Sequence, residues 1–180
     1  MAKLEKMAND FGLLIETYNC YGYTKDNEID WDKVSSIDHL PEEFLMLFQN
    51  VLNWDIICNS TQKLSEEFIR KFQDKINWNK LSINQTLSEN LIKEFQDKFD
   101  FKLLSHTQIL TEDFIREFQD KVDWDLISKY QALTEKFIEE FQDKVNWINV
   151  ALYQFVSYDF LKRHIDQIRL PQQNNNSINI

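Results

Sequence analysis

Glycine and proline occur only twice each in 180 residues. Meanders, sandwiches and barrels spend these residues on tight turns, so their scarcity argues against a strand-rich fold and for helices joined by short polar turns. Cysteine also occurs twice, at Cys20 and Cys58, far apart and outside any CxxC pair. That excludes a disulfide framework and points to reduced thiols in a cytosol-like compartment. Bases are outnumbered, 20 against 30 acids, and the net charge is -10. The longest basic stretch is Lys162-Arg163-His164, so no local patch offsets the repulsion from a nucleic-acid backbone, and direct nucleic-acid binding is not expected. No apolar run approaches the ~18 residues a membrane span needs. Lys3, Glu5, Lys6 and Asp10 break up any signal-peptide core. The expected setting is intracellular and cytoplasmic.

Catalytic signatures are missing as well. No GxGxxG, GxxxxGK[ST], HExxH or GxSxG string occurs. His39, His106 and His164 stand apart from one another and from the cysteines, and read as surface or turn residues rather than metal ligands. Adjacent carboxylates (Glu66-Glu67, Glu112-Asp113, Glu139-Glu140) recur at helix starts or on polar faces, where dipole compensation and solvation account for them. The reading is therefore of a non-enzyme, with no catalytic, cofactor-binding or metal-ligating residue and no cofactor.

What the chain has in plenty is aromatic side chains in time with one another. Trp31, Trp54, Trp78, Trp124 and Trp147 are spaced 23, 24, 46 and 23 residues apart, and Phe101 fills the missed beat. A fixed period of this size marks a repeat architecture. In register the units run 40–63, 64–86, 87–109, 110–132 and 133–155, the first carrying one extra residue after Trp54. Residues 1–39 read as a diverged N-terminal cap ending in the back half of a unit, Asp30-Trp31-Asp32. An apolar helix is expected around Phe11–Tyr18 and a loop at 19–23. Residues 156–170 read as one degenerate capping helix, and 171–180 as a disordered polar tail.

Each unit reads as two helices. The first is capped by Ser65, Ser88, Thr111 or Thr134, with Pro41 in that place in the first unit. The leucine before the cap and the isoleucine five places on, as in Leu64 and Ile69, have the spacing of a hydrophobic staple. Phe68, Ile69, Phe72 and Ile76, at offsets 0, 1, 4 and 8, form one apolar stripe, with counterparts at Phe114 and Phe118 and at Phe137 and Phe141. The second helix, expected to be the shorter, is capped by Asn77, Asp100, Asp123 or Asn146 and buries the Trp together with positions three, four and seven residues on. A small residue at the fourth position, as at Ser82 or Ser128, is expected to let the neighbouring helix come close. At least one of two in-phase glutamine rows (Gln85, Gln108, Gln131 and Gln154; Gln49, Gln73, Gln96, Gln119 and Gln142) is expected to bond backbone at turns. The recurring Asp-Lys pair suggests a link between consecutive units. The expected fold is all-α, an α-solenoid whose core is built on Trp31, Trp54, Trp78, Phe101, Trp124 and Trp147 with the paired phenylalanines.

The pattern L-[ST]-E-x-[FL]-I-x-x-F-x-D-K-[VIF]-[DN]-[WF] over residues 40–155 resembles short helical repeats found in proteins of giant DNA viruses and some phages. The resemblance implies a binding scaffold without catalytic residues and a viral protein acting on a host factor. The functional expectation is a scaffold for a protein partner. Positions that vary between copies, Arg70, Lys71, Lys80, Ile83 and Asn84, are the candidate partner surface. The alternative is an acidic nucleic-acid mimic acting on a DNA-binding defence protein. Residues 64–155 are mixed, with 17 acids and 12 bases, whereas residues 1–63 hold 11 and 5, so a mimic would use the N-terminal end.

Overall fold

The computed structural model describes residues 24–25 and 28–168. The expected helix near Phe11, the loop at 19–23 and the tail at 171–180 lie outside the described residues. Two-residue strands β1 (Thr24–Lys25) and β2 (Glu28–Ile29) pair antiparallel, with Thr24 opposite Ile29. The rest of the described chain is helical, and the α-solenoid class is as expected. The chain divides into two compact units, Met1–Gln85 and Thr86–Ile180.

The first unit holds α1 (Trp31–Ser35), α2 (Glu42–Leu47), α3 (Trp54–Asn59), α4 (Glu66–Lys71) and α5 (Trp78–Asn84). The Trp-led helices α1, α3 and α5 pack side by side. The second unit holds α6 (Glu89–Glu94), α7 (Phe101–Thr107), α8 (Glu112–Glu117), α9 (Trp124–Tyr130), α10 (Glu135–Glu140), α11 (Trp147–Tyr153), α12 (Tyr158–Arg163) and α13 (Ile165–Ile168). There α7, α9 and α11 form the same side-by-side layer, and α13 packs on α11.

The caps are those the sequence points to. The side-chain oxygens of Ser65, Ser88, Thr111 and Thr134 accept the N–H three residues on. Asn77, Asp100, Asp123 and Asn146 cap the Trp-led helices in the same way. Pro41 starts α2 with no side-chain cap bond.

Two expectations are corrected. The second helix of a repeat is not the shorter: α4 has six residues and α5 has seven. The first helix stops where its second Phe (Phe72, φ -113°, ψ 25°) leaves helical geometry, and a turn closed by the Lys75 N–H on the Phe72 carbonyl brings Ile76 into the core. The apolar stripe therefore spans a helix plus a turn. Residues 156–168 do not form one helix either. The chain bends at His164, between α12 and α13.

Within each unit, aromatic rings join one repeat to the next. Trp54 lies 5.9 Å from Phe68 and 5.3 Å from Phe72, ring centre to ring centre. Phe101 meets Phe114 and Phe118, Trp124 meets Phe137 and Phe141, and Trp31 meets Phe48. The six paired phenylalanines, Trp78, Phe101 and Trp147 are buried, whereas Trp31, Trp54 and Trp124 are half-buried. The ring N–H of Trp54, Trp124 and Trp147 donates to the carbonyl of the glutamine five residues earlier, at 2.9–3.0 Å. Offset aromatic pairs of this kind add about 0.5–1.5 kcal/mol beyond the area they bury.

The polar rows do the rest. Gln131 is a clip: its Oε1 accepts the Leu110 N–H at 2.9 Å, and its Nε2 donates to the carbonyls of Gln108 and Ser105 at 2.8 and 2.9 Å. Gln154 makes the same three bonds one repeat later. The first repeat departs from this pattern: Gln62 donates to the Leu40 carbonyl, and its buried Oε1 has no partner among the described residues. The small serine of the Trp-led helix is more than a spacer. Ser105 Oγ donates to the Phe101 carbonyl at 2.6 Å and accepts the Asp123 N–H at 3.0 Å, so it ties each helix to the cap of the next. Ser35 and Ser128 repeat this, and Cys58 Sγ takes the acceptor role toward Asn77.

The first-turn glutamates also act beyond the helix dipole. Glu89, Glu112 and Glu135 accept the N–H of the next repeat's cap residue, Thr111, Thr134 and Ser157, at 2.6–2.7 Å. The Asp-Lys motif is a link as expected: Lys144 reaches back to Asp120 and Gln119 at 2.9 Å and lies over the Trp124 ring. Lys93 pairs with Glu117 at 2.6 Å, and Arg116 grips Glu140 through two bonds at 2.8 and 2.9 Å.

These links carry a pH signature. The backbone N–H and hydroxyl of Ser157 hold the Glu135 carboxyl below its usual range, and Arg116 does the same to Glu140. A folded value below the unfolded one, about 4.3 for Glu, means the stabilisation is complete above that value. It is lost as pH falls through the lower folded value. The melting temperature is expected to stay level from pH 8 to about 5 and to fall below about 4.5. A Glu135→Gln, Glu140→Gln double variant should melt lower at pH 7 and lose less between pH 7 and pH 3. Parallel melting curves of variant and parent would contradict this role for the two carboxylates.

Candidate protein-binding surface

In the second unit the first position of each Trp-led helix and the third, fourth and seventh after it face inward: Phe101, Leu104, Ser105 and Gln108 are buried. The positions one, five and eight residues after the aromatic face outward. They are Lys102, His106 and Ile109 in and after α7, then Asp125, Lys129 and Ala132 around α9, then Ile148, Leu152 and Phe155 around α11. Two of these positions still reach the next repeat: Lys102 pairs with Asp123 at 3.6 Å, and Asp125 accepts from Asn146 at 2.7 Å. Apolar side chains collect on this outer face, with Ile109 88% exposed, Leu152 68% and Phe155 104%.

Tyrosines lie alongside. Tyr130 and Tyr153, each six residues after its Trp, are half exposed, and Lys129 Nζ sits over both rings at 4.9 and 5.1 Å. The adjacent Tyr130 and Tyr153 hydroxyls hold the Lys129 ammonium above its usual range. His106 approaches the Tyr130 ring at 6.0 Å. The strip thus offers rigid aromatic area with a fixed cation, which are features of protein-binding surfaces.

The surface expected from the sequence lies in the first unit and is largely engaged within it. Lys71 Nζ reaches Met46 Sδ and lies over the Phe72 ring. Lys80 pairs with Asp55 at 3.6 Å, and Asn84 donates to the carbonyls of Lys80 and Cys58. Arg70 bonds Glu66 at 3.1 Å. Ile83 alone of the five presents a large exposed apolar side chain. Sequence reasoning missed the second-unit strip, although the apolar i, i+4, i+7 spacing of Ile148, Leu152 and Phe155 could have flagged it.

His39 has a positive φ of 63° in the turn before Leu40. His164 is not a simple surface residue: it occupies the place of the second Phe, stacked 4.6 Å from Trp147 and tilted against Phe160 at 4.6 Å. Among the described residues no cluster of three His, Cys, Asp or Glu converges, and no helix is long and apolar enough to cross a membrane. In comparison with known proteins, no family model, curated protein or solved structure matches the chain.

Proposed function

We propose that this chain is a non-catalytic helical-repeat scaffold that holds a protein partner on the outer face of α7, α9 and α11. The observation that carries the reading is the exposed apolar strip. Ile109, Tyr130, Leu152, Tyr153 and Phe155 stand exposed together on these helices of the second unit. Exposed patches of this kind on a soluble domain mark interaction sites. The resemblance of the repeat to those of giant DNA viruses supports a host protein as the partner and a cytoplasmic setting. The mimic reading has less support, because many carboxylates in the second unit are tied to bases and to backbone N–H groups of adjacent repeats.

Immobilised full-length chain, parent and an Ile109→Asp, Tyr130→Ala variant, tests this in host-cell extract with mass spectrometry of the captured proteins. A partner retained by the parent is expected to bind the variant at least ~10-fold more weakly, the scale of losing one interface anchor. Equal capture by both forms, or none above background by the parent, would count against the scaffold reading.

A further inference from the structure

The outer face of α11 differs from those of its neighbours in a way the fold does not require. Ile148, Leu152 and Phe155 form an apolar ridge at i, i+4 and i+7, opposite the buried Trp147 and Val150. The same three places hold Lys102, His106 and Ile109 on α7, and Asp125, Lys129 and Ala132 on α9. Those two helices carry charged side chains at these places and still pack side by side, so the repeat does not require the ridge.

Charge is missing from it too. From Val145 to Tyr158, fourteen consecutive residues include no Asp, Glu, Lys or Arg, the longest such run in the chain. Across the whole chain 28% of residues are charged and the net charge is -10. Two copies of so acidic a chain repel wherever their ordinary surfaces meet. On this ridge they can approach without desolvating a charge or opposing like charges.

We propose that two copies of this chain pair through the outer ridge of α11, with Leu152 and Phe155 at the centre. A two-fold axis places the ridge against itself, and an i, i+4 row fits the grooves of an identical helix. Leu152 and Phe155 are 68% and 104% exposed, and Tyr153 and Tyr158 follow at 50% and 77%. Covering these side chains removes several hundred Å² per copy, below the ~800 Å² of a standard interface, which fits a reversible dimer rather than an obligate one. The pairing rests on the outer face of the second helices being the binding face, and it assigns the α11 end of that face to a second copy.

Sedimentation of the full chain from ~1 to ~500 µM tests it, the span over which a reversible dimer of this size assembles. The parent is expected to rise from 21.8 kDa toward twice that mass. A Leu152→Glu, Phe155→Glu variant should stay monomeric throughout, with an unchanged melting temperature because both side chains are exposed. Added salt screens the mutual repulsion without touching the ridge. The parent's dissociation constant should therefore fall several-fold between 0.05 and 0.5 M sodium chloride. A parent that remains monomeric across the range overturns the pairing. So does a dimer that survives the double substitution or weakens with salt. The Ile109→Asp, Tyr130→Ala variant separates the two ideas, since it should dimerise normally while losing the captured partner. Loss of capture by Leu152→Glu, Phe155→Glu from a parent that is monomeric would assign the ridge to another protein and end the dimer proposal, leaving the scaffold reading in place.

Discussion

Replacing Gln131 with leucine is expected to destabilise the second unit by about 3–5 kcal/mol, although the substitution is close in volume and adds apolar character to a buried site. The reason is what it leaves behind. The Leu110 N–H and the carbonyls of Gln108 and Ser105 all bond this one amide, and leucine can satisfy none of them. Each buried backbone group left unpaired costs about 1–3 kcal/mol, partly recovered by local relaxation. A chemical-denaturation curve measures the loss. Gln131→Glu separates hydrogen bonding from packing. At neutral pH its carboxylate would face two carbonyl oxygens and repel them. When protonated it regains a donor, so part of the stability should return as the pH is lowered toward 5. A leucine variant within about 1 kcal/mol of the parent would mean that the clip adds only an average hydrogen bond.

The second large effect is expected at Trp124. Its indole stacks on Phe137 and meets Phe141 at a tilt in the following repeat, donates to the Gln119 carbonyl at 2.9 Å and lies under the Lys144 ammonium. Full truncation of a buried Trp or Phe costs about 3–5 kcal/mol. Trp124 is only half-buried, which places Trp124→Ala near the lower end, at about 3 kcal/mol. Phe137→Ala, at a fully enclosed ring, should cost more, about 4 kcal/mol. Trp124→Phe should recover most of the stacking and lose only the N–H bond, a difference of about 1 kcal/mol. The order Phe137→Ala, Trp124→Ala, Trp124→Phe in decreasing damage is the measurable outcome. An alanine at 124 that melts with the parent would remove this ring from the inter-repeat core.

Apolar periodicity made the helices and the core legible before any coordinates. Phe68, Phe114 and Phe137 stand on one stripe in each copy, and a side chain recurring every 23 residues between polar neighbours has few places to go but inward. The capping serines, threonines and asparagines were readable for a local reason: cap bonds reach only two or three residues. Partners a repeat away were harder. Glu135 looks like any first-turn acid, because its bond to Ser157 depends on how closely successive helices pack. Ser105 was read by its size, and its relay to Asp123 could not be seen in one dimension. His164 was read as a surface or turn residue because its chemistry differs from that of the phenylalanines whose place it takes. The α11 ridge was missed for the opposite reason. Periodic reading rewards what recurs, and Ile148, Leu152 and Phe155 matter because their counterparts in other copies are different.

The span of the clips and latches has a further consequence. The hydrogen bonds that join one repeat to the next bridge 18 to 26 positions along the chain, as from Ser105 to Asp123 and from Ser105 to Gln131. Loops so short cost little entropy to close, and topologies dominated by nearby partners reach the native state quickly. A nascent polypeptide of this kind can dock each hairpin onto its predecessor soon after leaving the ribosome, without waiting for the C-terminus to be made.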